Sequence, residues 1–164
     1  LTGLSVREMT GRGAGLSSAG LVKKQTAIRQ ALELHRPDPE DVVGVLAKVG
    51  GLDLAGLTGA FLGCAALKIP AVIDGFISAT AALCAVRLCP AAGEYLLASH
   101  QSGEPASRII MEELGLSPFL DAGMRLGEGT GAVAALPVLD MSLAVYRRMS
   151  TFEEIEIEAY QPLT

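Results

Sequence analysis

The chain has no tryptophan, and aromatic residues make up only 4% of its 164 positions, so its core must be built from small aliphatic side chains. Positive charge is also in short supply: 13 Lys and Arg against 18 Asp and Glu leave a net charge of -5. That balance excludes the basic footprint of a nucleic-acid or anionic-membrane binder, and any phosphate bound here is expected to belong to a small ligand. Cysteine is scarce as well. Cys64, Cys84 and Cys89 are odd in number and lack C-x-x-C spacing, which argues against a zinc site or a disulfide framework and suits a reducing cytoplasm. The longest uncharged stretch, Leu54 to Leu67, is closed by Asp53 and Lys68. It falls short of the roughly 18 residues a membrane span needs, so a soluble protein is expected. The opening LTGLSVREMTGRG has no basic region followed by an apolar one and does not read as a signal peptide.

What is present is 50% hydrophobic residues, 19 glycines and a mean hydropathy of +0.41, enough for one buried core. Helical periods alternate with short β-branched runs that end in glycine, the pattern of α/β layering around a mostly parallel sheet. The spacing of Leu21, Lys24, Ile28, Ala31 and Leu32 predicts a helix over Ser18 to His35, stopped by Pro37. Asp38 reads as an N-cap with Pro39 at the first helical position, and Gly50-Gly51 as the end of that helix. Asp53 to Leu67 is apolar nearly all round and is expected to be a buried helix. Ile69 to Asp74 reads as a strand, Ser78 to Leu88 as an apolar helix and Tyr95 to Ala98 as a second strand. Further helices are predicted from Glu104 to Leu114 and from Glu128 to about Met149, the latter interrupted or kinked at Pro137. Thr151 and Glu154 have the spacing of a capping box for a last short helix, so residues 1–150 read as the domain and 151–164 as a terminal helix and loose tail.

Two glycine clusters precede predicted helices: Gly11-Arg12-Gly13-Ala14-Gly15 and Gly127-Glu128-Gly129-Thr130-Gly131. Glycine there lets backbone N–H groups approach an anion, or makes a tight turn before a helix. With Ala132 the second cluster fits the variant dinucleotide fingerprint G-x-G-x-x-A, but no strand precedes it and Glu128 would oppose a pyrophosphate. Glu128 itself is either a carboxylate at a helix start or a general base whose proton affinity a tight pocket raises. Lys24, beside Lys23, has the look of a solvated pair, yet it is in phase with the buried positions Leu21, Ile28 and Leu32. Asp74 stands at a strand's carboxyl end, where parallel sheets bind ligands. His100 and Ser102 suggest a base and a nucleophile, but the G-x-S-x-G elbow of a hydrolase is missing.

The string GMRLGEGTGA, with TGRGAG from Thr10, DGFIS from Asp74, SHQSGEP from Ser99 and the closing RRMSTF, resembles the carboxy-terminal half of the nicotinate-nucleotide:dimethylbenzimidazole phosphoribosyltransferase family. The matches keep the family's order over nearly the whole chain. The resemblance implies a Rossmann-like α/β layer flanked by helices, incomplete relative to the full family fold, with residues 1–150 as the carboxy-terminal part of that domain. It implies transfer of phosphoribose from nicotinate mononucleotide to 5,6-dimethylbenzimidazole in cobalamin lower-ligand assembly, with no metal or cofactor. On this chain the family's catalytic carboxylate falls on Glu128. Its phosphate contacts fall on Gly13, Lys24 and Ser102, its backbone approach to the nucleotide on Gly127, and a wall of the cleft on Asp74. The family's amino-terminal half, with another nucleotide loop, a second acidic residue and much of the benzimidazole pocket, has no counterpart here. A homodimer or larger assembly, or association with that half, is therefore expected, because Leu54–Leu67 and Ser78–Val86 lack a polar face. The alternative is a non-catalytic nucleotide-binding or assembly module of the same lineage.

Overall fold

The computed structural model describes residues 1–13, 15–158 and 161. Ala14 of the first glycine loop and the end of the expected tail lie outside the described residues. A short α1 (Val6–Met9) opens the chain, set by a capping box in which Ser5 accepts from the Glu8 amide and Glu8 reaches back to the Ser5 amide. α2 (Ser18–His35) has the expected bounds, with Ser17 as its N-cap and Arg36 ending it in the left-handed region. α3 (Val42–Val49) starts later than the sequence suggested. Asp38 uses its carboxylate to close a turn on the Glu40 amide, and Asp41 is the residue that caps the helix, on the Gly44 amide.

α4 (Leu52–Ala66), β1 (Ala71–Ile73) and α5 (Phe76–Leu88) follow, then a 3₁₀ turn (Pro90–Tyr95) and β2 (Leu96–Ala98). β1 and β2 pair in parallel, Val72 opposite Leu97, and Leu120 adds a parallel bridge beside His100. The chain is thus α/β, with more helix and less sheet than the alternation suggested. α5 is the centre of the core. Ala79, Ala81, Ala82, Leu83, Cys84 and Ala85 are all buried, and the alanines let α4 and α6 (Pro105–Leu114) close in on either side. Thr58 ties α4 to α5, its hydroxyl 2.8 Å from the Leu54 carbonyl and 3.3 Å from that of Ala81. The expectation that Ser78–Val86 needs an outside partner is therefore corrected: this chain covers the helix itself.

The buried reading of Leu54–Leu67 is corrected in the opposite direction. Only Thr58 and Phe61 of α4 are buried, Leu52 is 94% exposed, and Gly56, Gly59 and Gly63 face open space. α7 (Thr130–Arg148) touches the body through its start, where Gly131 and Ala135 are buried; Met141, Tyr146 and Met149 stand in the open. It runs through Pro137 without interruption. The carbonyl that proline leaves unbonded belongs to Val133, which is 65% exposed and can meet water. The Thr151 and Glu154 capping bonds do form, but they close only a turn at residues 152–156 and no helix; Phe152, Ile155 and Ile157 stay about half exposed, so little packing supports one. No helix among the described residues is long and apolar enough to cross a membrane.

Candidate active site

The carboxyl ends of β1 and β2 release Asp74 and Ser99-His100 to the same side of the sheet. Asp74 does not point freely into space. Its Oδ1 accepts from the Gly131 amide at 2.8 Å and the Ala132 amide at 3.0 Å, and its Oδ2 from Gly129 at 3.1 Å. These are the donors at the start of α7 that a dinucleotide pyrophosphate would use, so the fingerprint reading fails: the chain supplies its own anion to that helix end.

Just before this cap, Gly127, Glu128 and Gly129 adopt φ of +79°, +57° and +77°. Glycine takes this conformation at no steric cost, whereas for Glu128 it is strained, and such a residue persists only where its surroundings impose it. Glu128 is exposed on the loop and lines the cleft, and among the described residues no tight apolar enclosure surrounds it. It precedes the cap of α7, so it is not the carboxylate that meets the helix dipole; Asp74 is.

Across the cleft, Arg12 fastens the first glycine loop by donating to the Leu16 carbonyl at 2.8 Å and the Ser18 hydroxyl at 3.2 Å. Lys24, from the second turn of α2, donates to the Gly11 carbonyl at 3.1 Å and lies beside Gly13, whose φ is +57°. That bond uses one of three ammonium hydrogens, leaving the others for an anion. Ser102 is buried and its hydroxyl oxygen is 3.4 Å from the Glu104 amide. Glu104 lies so close over Gly11 that a Cβ there would overlap its carboxylate. The cleft is about 1090 Å³, and Gly13, Lys24, Asp74, Ser102, Gly127 and Glu128 all line it. Its remaining lining includes Ile28, Leu32, Leu57 and Phe61, an apolar surface suited to a flat heterocycle. Among the described residues no cluster of three or more His, Cys, Asp and Glu is arranged to hold a metal ion.

The pairing of His100 with Ser102 is corrected. The hydroxyl beside the His100 ring is that of Ser99, 3.1 Å from Nδ1, and it is itself donated to the Ile73 carbonyl. A serine so committed, buried to 1% exposure, is not a nucleophile. The sequence does not single out Ser99, His100 and Gly131 as a group, although the strand-end rule that selects Asp74 applies equally to residues 99 and 100.

The family model described as Phosphoribosyltransferase matches residues 1–157. The chain belongs to the nicotinate-nucleotide:dimethylbenzimidazole phosphoribosyltransferase family. Its relatives include the nicotinate-nucleotide--dimethylbenzimidazole phosphoribosyltransferase of Ruminiclostridium cellulolyticum, 50% identical over 99% of this chain and 46% of the relative. The protein of the same name from Acetivibrio thermocellus is 51% identical over the same shares. Among solved structures, CobT from Thermus thermophilus superposes with a TM-score of 0.87 at 38% identity, covering 96% of this chain and 47% of that one. The chain thus spans about half the length of the family members it matches.

Proposed function

We propose that this chain carries the general base and the phosphate site of an enzyme that moves phosphoribose from nicotinate mononucleotide to 5,6-dimethylbenzimidazole, yielding α-ribazole 5′-phosphate and nicotinate for the cobalamin lower ligand. The observation that carries the proposal is that Glu128 and Lys24, 104 positions apart, line one cleft together with both glycine loops and with Asp74 and His100 from the strand ends. Glu128 takes the N–H proton of the benzimidazole. The ring's other nitrogen then forms a bond to the ribose anomeric carbon as the bond to nicotinate breaks; the pyridine nitrogen keeps the electron pair and the configuration inverts. The carboxylate also stabilises the positive charge that develops on the ribose.

The 5′-phosphate is held by the Lys24 ammonium, the backbone at Gly13 and the Ser102 hydroxyl, while Gly127 admits the nucleotide close to the main chain and Asp74 forms the wall behind it. The three thiols, all free, fit a reducing compartment such as the cytoplasm. A titration calorimeter tests the phosphate end directly. Lys24→Ala should weaken nicotinate mononucleotide by about ten- to a hundredfold, as for a lost charge-assisted contact of roughly 1.5–3 kcal/mol, and leave the dephosphorylated nucleoside nearly unchanged. Equal weakening of both ligands would place Lys24 in the fold instead of the site.

A further inference from the structure

His100 is 2% exposed, yet it lines the cleft. Its Nδ1 edge lies against Gly131 so closely that a Cβ on that residue would overlap the ring. Because the Ser99 hydroxyl hydrogen is donated to the Ile73 carbonyl, the 3.1 Å contact between the Ser99 oxygen and His100 Nδ1 is a bond that the imidazole donates. The ring is therefore pinned to β1 through Ser99, and by the same Nδ1 edge it meets the first turn of α7. On that turn Asp74, also from the end of β1, holds the amides of Gly129, Gly131 and Ala132. Three successive positive-φ residues, one of them not glycine, lie immediately before it. A loop in that conformation relaxes unless something outside it holds it.

We propose that His100 is a positioning residue for Glu128: wedged against Gly131 and fixed by Ser99, it works with Asp74 to clamp the Gly127–Gly129 loop to the sheet and so sets where the Glu128 carboxylate stands in the cleft. The clamp needs only this chain's own contacts; its consequence for turnover rests on the phosphoribosyltransferase reading.

Amide hydrogen exchange on the 164-residue chain tests the clamp without any substrate. His100→Ala and Gly131→Ala should each speed exchange at Gly129, Gly131 and Ala132 by about tenfold or more, while Ala82, Leu83 and Ala85 in the core of α5 keep their parent rates. His100→Asn retains a side-chain donor for Ser99 and should be looser than the parent but tighter than His100→Ala. Combining His100→Asn with Gly131→Ala should restore protection, since the added methyl fills the space the ring vacates. Unchanged loop amides in both single variants, equal acceleration in α5, or a double variant as loose as the two singles together would overturn the wedge. In the assembled enzyme His100→Asn should lower kcat by about tenfold or more, with KM for nicotinate mononucleotide within about twofold, the signature of a displaced base. An unchanged kcat alongside a loosened loop would overturn the positioning role. A clamped loop in a protein that shows no transfer would instead count against the functional reading and leave the clamp standing.

Discussion

Glu128 combines a strained backbone with an exposed side chain, which is how a residue is presented to a ligand and not how one is stored in a core. If it is the base, Glu128→Gln keeps shape and loses the proton acceptor, so transfer in the complete enzyme should fall about 10²–10⁴-fold with nicotinate mononucleotide binding little changed. Steady-state kinetics with a parallel calorimetric titration checks both halves of that statement. That Gly13, Lys24, Ser102, Gly127 and Glu128 line one cleft was carried by the family resemblance, and Asp74 by its place at a strand end; residue type alone left Lys24 as a solvated lysine and Glu128 open between two readings. The wedge role of His100 was not legible, because it depends on the absence of a side chain at Gly131, 31 positions away. Nothing in the local sequence shows that ring filling that space.

At the scale of elements, helix bounds followed from proline stops, caps and period for α2 and α6, and Gly115 ends α6 in the left-handed conformation expected of such a glycine. The first turn of α3 was misplaced because Asp38 and Asp41 both have capping chemistry, and only the turn geometry decides which one meets the helix. Burial was the harder inference: α4 and α5 have similar uniformly apolar sequences, but α5 is enclosed and α4 is half open. Leu83, 2% exposed, should therefore cost about 2–5 kcal/mol on truncation to alanine, read as a lowered denaturation midpoint. The cysteines offer a second check on α5. Burial pushes the Cys84 thiol up, so it should stay protonated and shielded. A thiol reagent at mildly alkaline pH should modify exposed Cys89 first and reach Cys84 only on unfolding; rapid labelling of all three in the folded chain would contradict the packing.

At the scale of the whole molecule, exposed apolar residues recur over much of the surface, with the longest series along α7 and its C-cap, Leu136, Met141, Leu143, Val145, Tyr146 and Met149, and others at the two ends of α4, Leu52 and Leu67. Faces of this kind are rarely left in water. We propose that they are covered, by a second copy of this chain or by another polypeptide. Light scattering of the chain alone should show a dimer or larger species, and a stable monomer at micromolar concentration would contradict this. The parallel pairing and a cleft at its carboxyl edge were legible from the sequence; how much of each helix stays open was not, since α4 and α5 carry the same uniformly apolar pattern and only their packing tells them apart. Product formation tests the proposed transfer most directly. Nicotinate mononucleotide and 5,6-dimethylbenzimidazole are incubated with the chain, alone and together with the amino-terminal half of a close relative, and α-ribazole 5′-phosphate is followed by mass spectrometry. Product is expected only in the combined sample, with nicotinate released in equal amount. Product from the monomeric chain alone, or none from a folded combined assembly, would contradict that expectation.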